Sequence, residues 1–140
     1  MSTEDNKTVL DEEAVIALVE RFLAAVGDGD LDALPPMFAP KANIGIASRR
    51  DGRWVTSTQT FDEWFTVIKA RTTRTRFREP VKHFTVHVED GQLAFVRADA
   101  TIVVDGQVRS HIIDYFTLLQ VNGAWKFVNA SYTANPVAPH

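Results

Sequence analysis

Residues 81–133 read VKHFTVHVEDGQLAFVRADATIVVDGQVRSHIIDYFTLLQVNGAWKFVNASYT, and three dipeptides inside them decide the fold: Asp90-Gly91, Asp105-Gly106 and Asn122-Gly123. Asp-Gly and Asn-Gly tolerate positive φ at both central positions, which a type I′ hairpin turn requires. Each lies between apolar-rich runs, so four strands follow one another in an antiparallel meander. A fourth pair, Asp51-Gly52, marks a shorter hairpin upstream, from Ala42 to Ser48 and from Trp54 to Thr58.

Two-residue turns pair residues symmetrically, so each turn fixes a register and a face. On this basis Phe84 faces Arg97, Arg97 faces Asp114 and Asp114 faces Ser131; an intervening bulge would shift these pairs by one. The face so defined carries Phe84, Val86, Val88, Leu93, Phe95, Ile112, Phe116, Leu118, Trp125 and Phe127. Within it fall five polar residues: Arg97, Asp99, Asp114, Asn129 and Ser131. Buried polar groups must be paired or wet. Two readings stay open. Arg97 and Asp114 could form a cross-strand pair that closes the core. Alternatively the cluster is the floor of a ligand cavity with aromatic walls, namely Phe22, Trp64, Phe84 and Phe116. Asp114 is then the candidate acid–base group. The opposite face, with Val96, Ile102, Ile113, Tyr115 and Val128, is apolar with no helix left to cover it. A two-fold homodimer is the simplest cover.

Upstream, residues 1–9 suit a disordered tail. A helix is expected from an Asp11 N-cap, with Val15, Leu18, Val19, Phe22, Leu23 and Val26 as its apolar stripe and Gly27 and Gly29 at its end. Leu31 to Phe38 suits a short helical segment strained by Pro35-Pro36. Thr60-Phe61-Asp62-Glu63 is a capping box opening a third helix, with Phe61, Trp64, Phe65 and Ile68 on one side. Ala134 to His140 suits a loose tail. One domain over 10–134 accounts for the rest: an α+β cone-shaped roll, its helices packed on the concave face of a long curved antiparallel sheet.

The totals narrow the function. The chain has 140 residues, 45% hydrophobic, with a formal net charge of −3 and no cysteine. That charge does not favour nucleic acid, and without cysteine there are no disulfides or thiolate sites. No run approaches a membrane span, and a polar, acidic start suggests a cytoplasmic protein. His83 and His87 share a strand face but lie about 13 Å apart, too far for one metal ion. Glycine-rich phosphate loops, nucleophile elbows and zinc motifs are missing, so no cofactor is expected. The basic stretch from Arg71 to Arg78 reads as a solvated loop or as a rim that attracts an anionic ligand.

Two segments carry a resemblance. Arg21-Phe22-Leu23, Gly29-Asp30-Leu31-Asp32-Ala33-Leu34, Met37-Phe38-Ala39 and Ala42 resemble the opening of the nuclear transport factor 2-like superfamily, which includes ketosteroid isomerases and SnoaL-like polyketide cyclases. His111 to Leu119 and Asn122 to Asn129 resemble its branch labelled "putative lumazine-binding". The resemblance implies the cone fold and a pocket, in a superfamily of enzymes, binding modules and assembly domains. Against the isomerase pattern, Phe22 stands where the oxyanion-donating tyrosine would be and Ile46 where the base would be. Only the second donor has a counterpart, near Asp114. Steroid isomerisation needs base and donors together, so it is not expected. The dehydratase set of tyrosine, aspartate and histidine is not matched, and no motif places a lumazine. A small apolar or aromatic ligand is expected, with a non-enzymatic dimeric module as the alternative.

Overall fold

Every one of the four Asx-Gly pairs turns the chain in the computed structural model, which describes residues 3–71 and 75–137. Asp51, Asp90, Asp105 and Asn122 hold φ near +50°, and the glycine after each is also positive. The strands between them are β3 (Val81–Glu89), β4 (Leu93–Val104), β5 (Gln107–Val121) and β6 (Ala124–Pro136). The upstream hairpin, β1 (Phe38–Arg50) and β2 (Arg53–Thr60), joins through β1, so the sheet order is β2-β1-β6-β5-β4-β3. The sheet is mixed, because β1 runs parallel to β6, where a wholly antiparallel sheet was expected.

Helix α1 (Thr3–Asp28) starts well before the anticipated Asp11 cap, so residues 3 to 9 are helical. Its first turns lie outside the core, with Leu10 64% exposed. They lean on the β3–β4 turn, where Lys7 and Asp11 approach Gly91. Two 3₁₀ turns, Leu31–Ala33 and Pro35–Met37, replace the short helix, as two adjacent prolines demand. The capping box opens α2 (Phe61–Ala70): Thr60 N–H donates to Glu63 Oε1 and Glu63 N–H donates to Thr60 Oγ1, both at 3.0 Å. At the other end, Asn135 and Pro136 remain paired with β5. The anticipated loose tail beyond Val137 lies outside the described residues, as do residues 72–74 of the basic stretch.

The core forms where α1 and α2 close the concave side of the sheet. Val15, Leu18, Val19, Phe22 and Leu23 bring the α1 stripe onto Val96, Phe116, Leu118 and Phe127. The Phe22 ring lies between 5.3 and 6.4 Å from the rings of Phe38, Trp64, Phe116 and Phe127.

Three extra residues decide which side chains reach that core. Gln92 N–H closes the Asp90-Gly91 turn on Glu89 O at 2.9 Å, yet Glu89 pairs with Leu93. Gln92 is therefore a bulge. Arg109 is a second, between the pairs Val103–Val108 and Ile102–Ser110. Val128 is a third, between Leu118–Phe127 and Thr117–Asn129. Each moves the register by one and exchanges the faces beyond it. On β4 the inward row is Ala94, Val96, Ala98 and Ala100, all at most 1% exposed. Leu93, Phe95, Arg97 and Asp99, expected inside, point outward. The small residues suit the closeness of α1, which a row with Phe95 and Arg97 would hold off.

Between α2 and β3 the chain crosses the open end of the cone. Phe77 N–H donates to Gly27 O at 3.1 Å, and Arg78 exchanges two backbone hydrogen bonds with Val103 at 3.0 and 2.8 Å. Gly27 is required there, since a Cβ on it would lie 2.2 Å from Phe77 O. This strap carries Phe77 and Glu79 over the core.

Candidate functional site

Asp114 lies mid-strand on β5, between Ala98 of β4 and Tyr132 of β6. Arg97 pairs with Tyr115 instead, so the cross-strand Arg97–Asp114 pair does not form. Asp114 is the buried charged residue of the core, 5% exposed. It lines a cavity of about 240 Å³ beneath the strap. The walls are apolar and aromatic: Phe22, Leu23 and Val26 from α1, Trp64 from α2, Phe77 from the strap, and Ile44, Ile102, Ile112, Phe116 and Ala130 from the sheet. Ser110, Tyr132 and Glu79 add polar groups.

Glu79 and Asp114 share a hydrogen bond between their carboxyl groups. Burial, then this hydrogen bond and the charge of Asp114, push Glu79 from 4.5 up to about 10, so it is a neutral acid at pH 7. Burial also raises Asp114, while the hydrogen bond from Glu79 opposes the rise. The two carboxyls titrate as a coupled pair in which Glu79 is the neutral acid at pH 7. Tyr132 stays protonated, held up by burial and by the charges of Asp114 and Glu79, with Arg71 opposing. Glu79 Oε2 and Asp114 Oδ2 are buried and have no hydrogen-bond partner among the described residues. Buried polar atoms are rarely left so; here they belong to groups lining an open space.

The residues anticipated from sequence divide in two. Asp114, Phe22, Trp64 and Phe116 come together around the cavity. Phe84 lies instead in a neighbouring groove of about 400 Å³, which shares Leu23, Phe77 and Glu79 with the cavity. Arg97, Asp99, Asn129 and Ser131 stand on the outer face, because the bulges at Gln92 and Val128 reverse β4 and the end of β6. Asn129 and Ser131 satisfy one another there: Ser131 Oγ donates to Asn129 Oδ1 at 2.9 Å, and Asn129 Nδ2 donates to Asn43 Oδ1. Val96 and Ile102, expected on the opposite face, turn inward with the same change of register, and Ile102 lines the cavity, as does Tyr132. Glu79 was not singled out at all. Its one sequence signal is an acid set between Phe77 and Pro80 after a run of arginines. Among the described residues, no group of three His, Asp or Glu is placed to hold a metal ion, and no helix is long and apolar enough to cross a membrane.

Comparison with known proteins agrees with the fold. Residues 10–133 match the family described as "Putative lumazine-binding". A protein of unknown function with a cystatin-like fold from Nostoc punctiforme superimposes with TM-score 0.75 at 15% identity, covering 94% of this chain and 96% of that one. A nuclear transport factor 2-like protein with a cystatin-like fold from Novosphingobium aromaticivorans gives 0.72 at 17% identity, covering 94% and 86%. A "Putative Scytalone Dehydratase" from the same organism gives 0.72 at 13% identity, covering 97% and 92%. No curated protein matches the chain. The chain belongs to the "Putative lumazine-binding" family, and its fold is the one seen in the nuclear transport factor 2-like protein with a cystatin-like fold.

Proposed function

We propose that this member of the family binds a small aromatic molecule in the cavity under the strap and moves a proton on it. The observation that carries this reading is the meeting of Glu79 and Asp114 in the cavity, with Glu79 Oε2 and Asp114 Oδ2 buried between aromatic walls and unpartnered among the described residues. Adjacent acids whose environments separate their protonation states supply both halves of acid–base chemistry. Asp114, as carboxylate, is the base. The phenol of Tyr132 is the donor that meets developing negative charge, and Glu79 is the second carboxyl that exchanges a proton beside the base. A cavity of about 240 Å³, near the liquid volume of about eight waters, limits the ligand to one or two rings. The relative named for a dehydratase supports an enzymatic use of the fold. The test is a thermal-shift screen of one- and two-ring compounds on wild type and Asp114→Asn. Compounds that raise the wild-type melting temperature should lose their effect in the variant while its circular dichroism stays native. Hits that act equally on both proteins would remove Asp114 from the site.

A second reading concerns assembly. On the outer face Phe95, Tyr115 and Leu119 are 37%, 46% and 39% exposed, and His87, Phe95 and Tyr115 form a row of ring contacts across three strands. Such a patch suits burial against a second copy of the chain, and light scattering at micromolar concentration reports it. A monomer there would leave the patch for another partner.

A further inference from the structure

We infer that the cavity takes a flat, singly charged cation, an amidinium or a protonated aromatic amine, held by the carboxyls of Asp114 and Glu79 among aromatic walls. This rests on the reading of the cavity as a ligand site and names the chemistry of the ligand.

The sign of the site comes first. Its two ionisable acids, Glu79 and Asp114, are matched by no lysine, arginine or histidine among the described lining residues. Among the described residues Arg71, exposed at the end of α2, is the cation whose charge reaches Tyr132. Against this described lining an anionic ligand would add negative charge in a medium where charge is costly.

Hydrogen-bonding capacity points the same way. Asp114 Oδ2 and Glu79 Oε2 are buried with no hydrogen-bond partner among the described residues, and Asp114 is 5% exposed. A neutral carbonyl compound could take the Glu79 O–H, but it would leave Asp114 Oδ2 as it is. An amidinium brings parallel N–H donors, and donors of this kind form the strong bidentate bonds to carboxylates. The faces of Phe22, Trp64, Phe77 and Phe116 add a wall that attracts a cation through its ring quadrupoles.

The exchange balances. Free, Glu79 is a neutral acid at pH 7. Loaded, Glu79 is a carboxylate beside the ligand's positive charge, and the displaced proton leaves to solvent. The incoming +1 replaces H⁺, so the charge of the site does not change. Tyr132 stays neutral in both states. The other charged groups around the strap are Glu20 and Asp28 of α1 and Arg78, which line the adjoining groove with Glu79.

The experiment is calorimetric titration of the full chain with benzamidinium, benzamide and benzoate. The three share one ring and nearly one shape and differ in charge. Titrations run from pH 6 to 9, in two buffers of different ionisation enthalpy. Benzamidinium should bind about tenfold or more tighter than benzamide, and benzoate should give no binding. One proton should be released per ligand, and benzamidinium affinity should rise about tenfold per pH unit below the Glu79 transition. Glu79→Gln should keep benzamidinium binding through Asp114 but lose proton release and most of the pH dependence. Benzamide equal to benzamidinium overturns the inference and leaves the cavity a ligand site. Benzamidinium binding without proton release also overturns it. Silence from all three overturns it and counts against the cavity reading as well.

Discussion

Replacing Glu79 by glutamine removes one buried proton while keeping the shape and a donor toward Asp114, and the consequence is a change in how stability depends on pH. In the folded chain Glu79 keeps its proton to about pH 10, whereas its ordinary value is 4.5. Between those limits the native state binds a proton that the unfolded chain has lost. The unfolding free energy therefore falls as pH rises. The contribution is whole below pH 4.5 and is lost as pH climbs toward 10. The slope for one full proton is about 1.4 kcal/mol per pH unit. From pH 5.5 to 7.5 the ceiling is then about 2.7 kcal/mol, or roughly 8–12 °C in melting temperature for a chain of this size.

Titrating groups away from the cavity are common to both proteins and cancel in the difference, and the glutamine amide keeps a donor toward Asp114, the group coupled to Glu79. The assay is a pair of melting curves, wild type and Glu79→Gln, recorded by calorimetry at half-unit steps from pH 5 to 9. Relative to the variant, the wild type should lose melting temperature steadily across this range. Parallel curves would refute the reasoning. They would mean that Glu79 ionises in the folded protein as it does in water.

Gly27→Ala puts a methyl group 2.2 Å from Phe77 O, so the strap must move. A loss of about 1–3 kcal/mol in guanidinium unfolding is expected, together with weaker cavity binding because Phe77 and Glu79 move with it. Trp64, 8% exposed, stacks near Phe22 and Phe61 at 6.4 and 5.9 Å; Trp64→Ala should cost about 3–5 kcal/mol, and a loss below about 1 kcal/mol would mean that it borders water rather than core. Ile113→Asp places a charge on the proposed dimer face, and an unpaired charge in an apolar contact costs several kcal/mol. Light scattering should then show monomer with unchanged melting of the subunit; an unaltered dimer would move the interface elsewhere.

The turns were legible because backbone geometry is local. Asp51, Asp90, Asp105 and Asn122 each precede a glycine and each take positive φ, a choice made by two residues without reference to the rest of the chain. The capping box at Thr60 and the α1 stripe are local in the same sense. The bulges are not. Nothing in the side chains of Gln92, Arg109 or Val128 announces an extra residue. Each is placed by what the two faces beyond it must bury, and that depends on how closely α1 approaches β4. Reading Leu93 and Phe95 as core was reasonable by hydrophobicity alone. The narrow gap under the helix favours Ala94, Val96, Ala98 and Ala100 by size instead. Glu79 was hidden for a related reason. Its environment comes from residues distant in sequence: Gly27, which admits the strap, and Asp114, which meets it.

The displaced register also explains why there is a site to discuss. In the symmetric register Arg97 would stand beside Asp114. A guanidinium there would hold the carboxylate ionised and satisfy its oxygens, leaving a structural ion pair with little call for a ligand. The bulges at Gln92 and Arg109 turn Arg97 to the outer face and set Ala98 opposite Asp114. The carboxyl thereby loses its cation and gains only a methyl group as neighbour. The partner that does reach it is Glu79, a second acid, which burial and Asp114 keep protonated to about pH 10. Glu79 Oε2 and Asp114 Oδ2 are left without a hydrogen-bond partner among the described residues. The test of this connection is to insert the missing cation. Ala134, half-buried on β6 two residues from Tyr132, lines the cavity, and Ala134→Lys would bring an ammonium to the lining that holds Asp114. It should lower the Glu79 and Asp114 transitions toward ordinary carboxylate values, read by carboxyl ¹³C resonances, and abolish benzamidinium binding. If the carboxyls titrate as before and benzamidinium still binds, the absence of a cation beside Asp114 is not what makes the cavity a site.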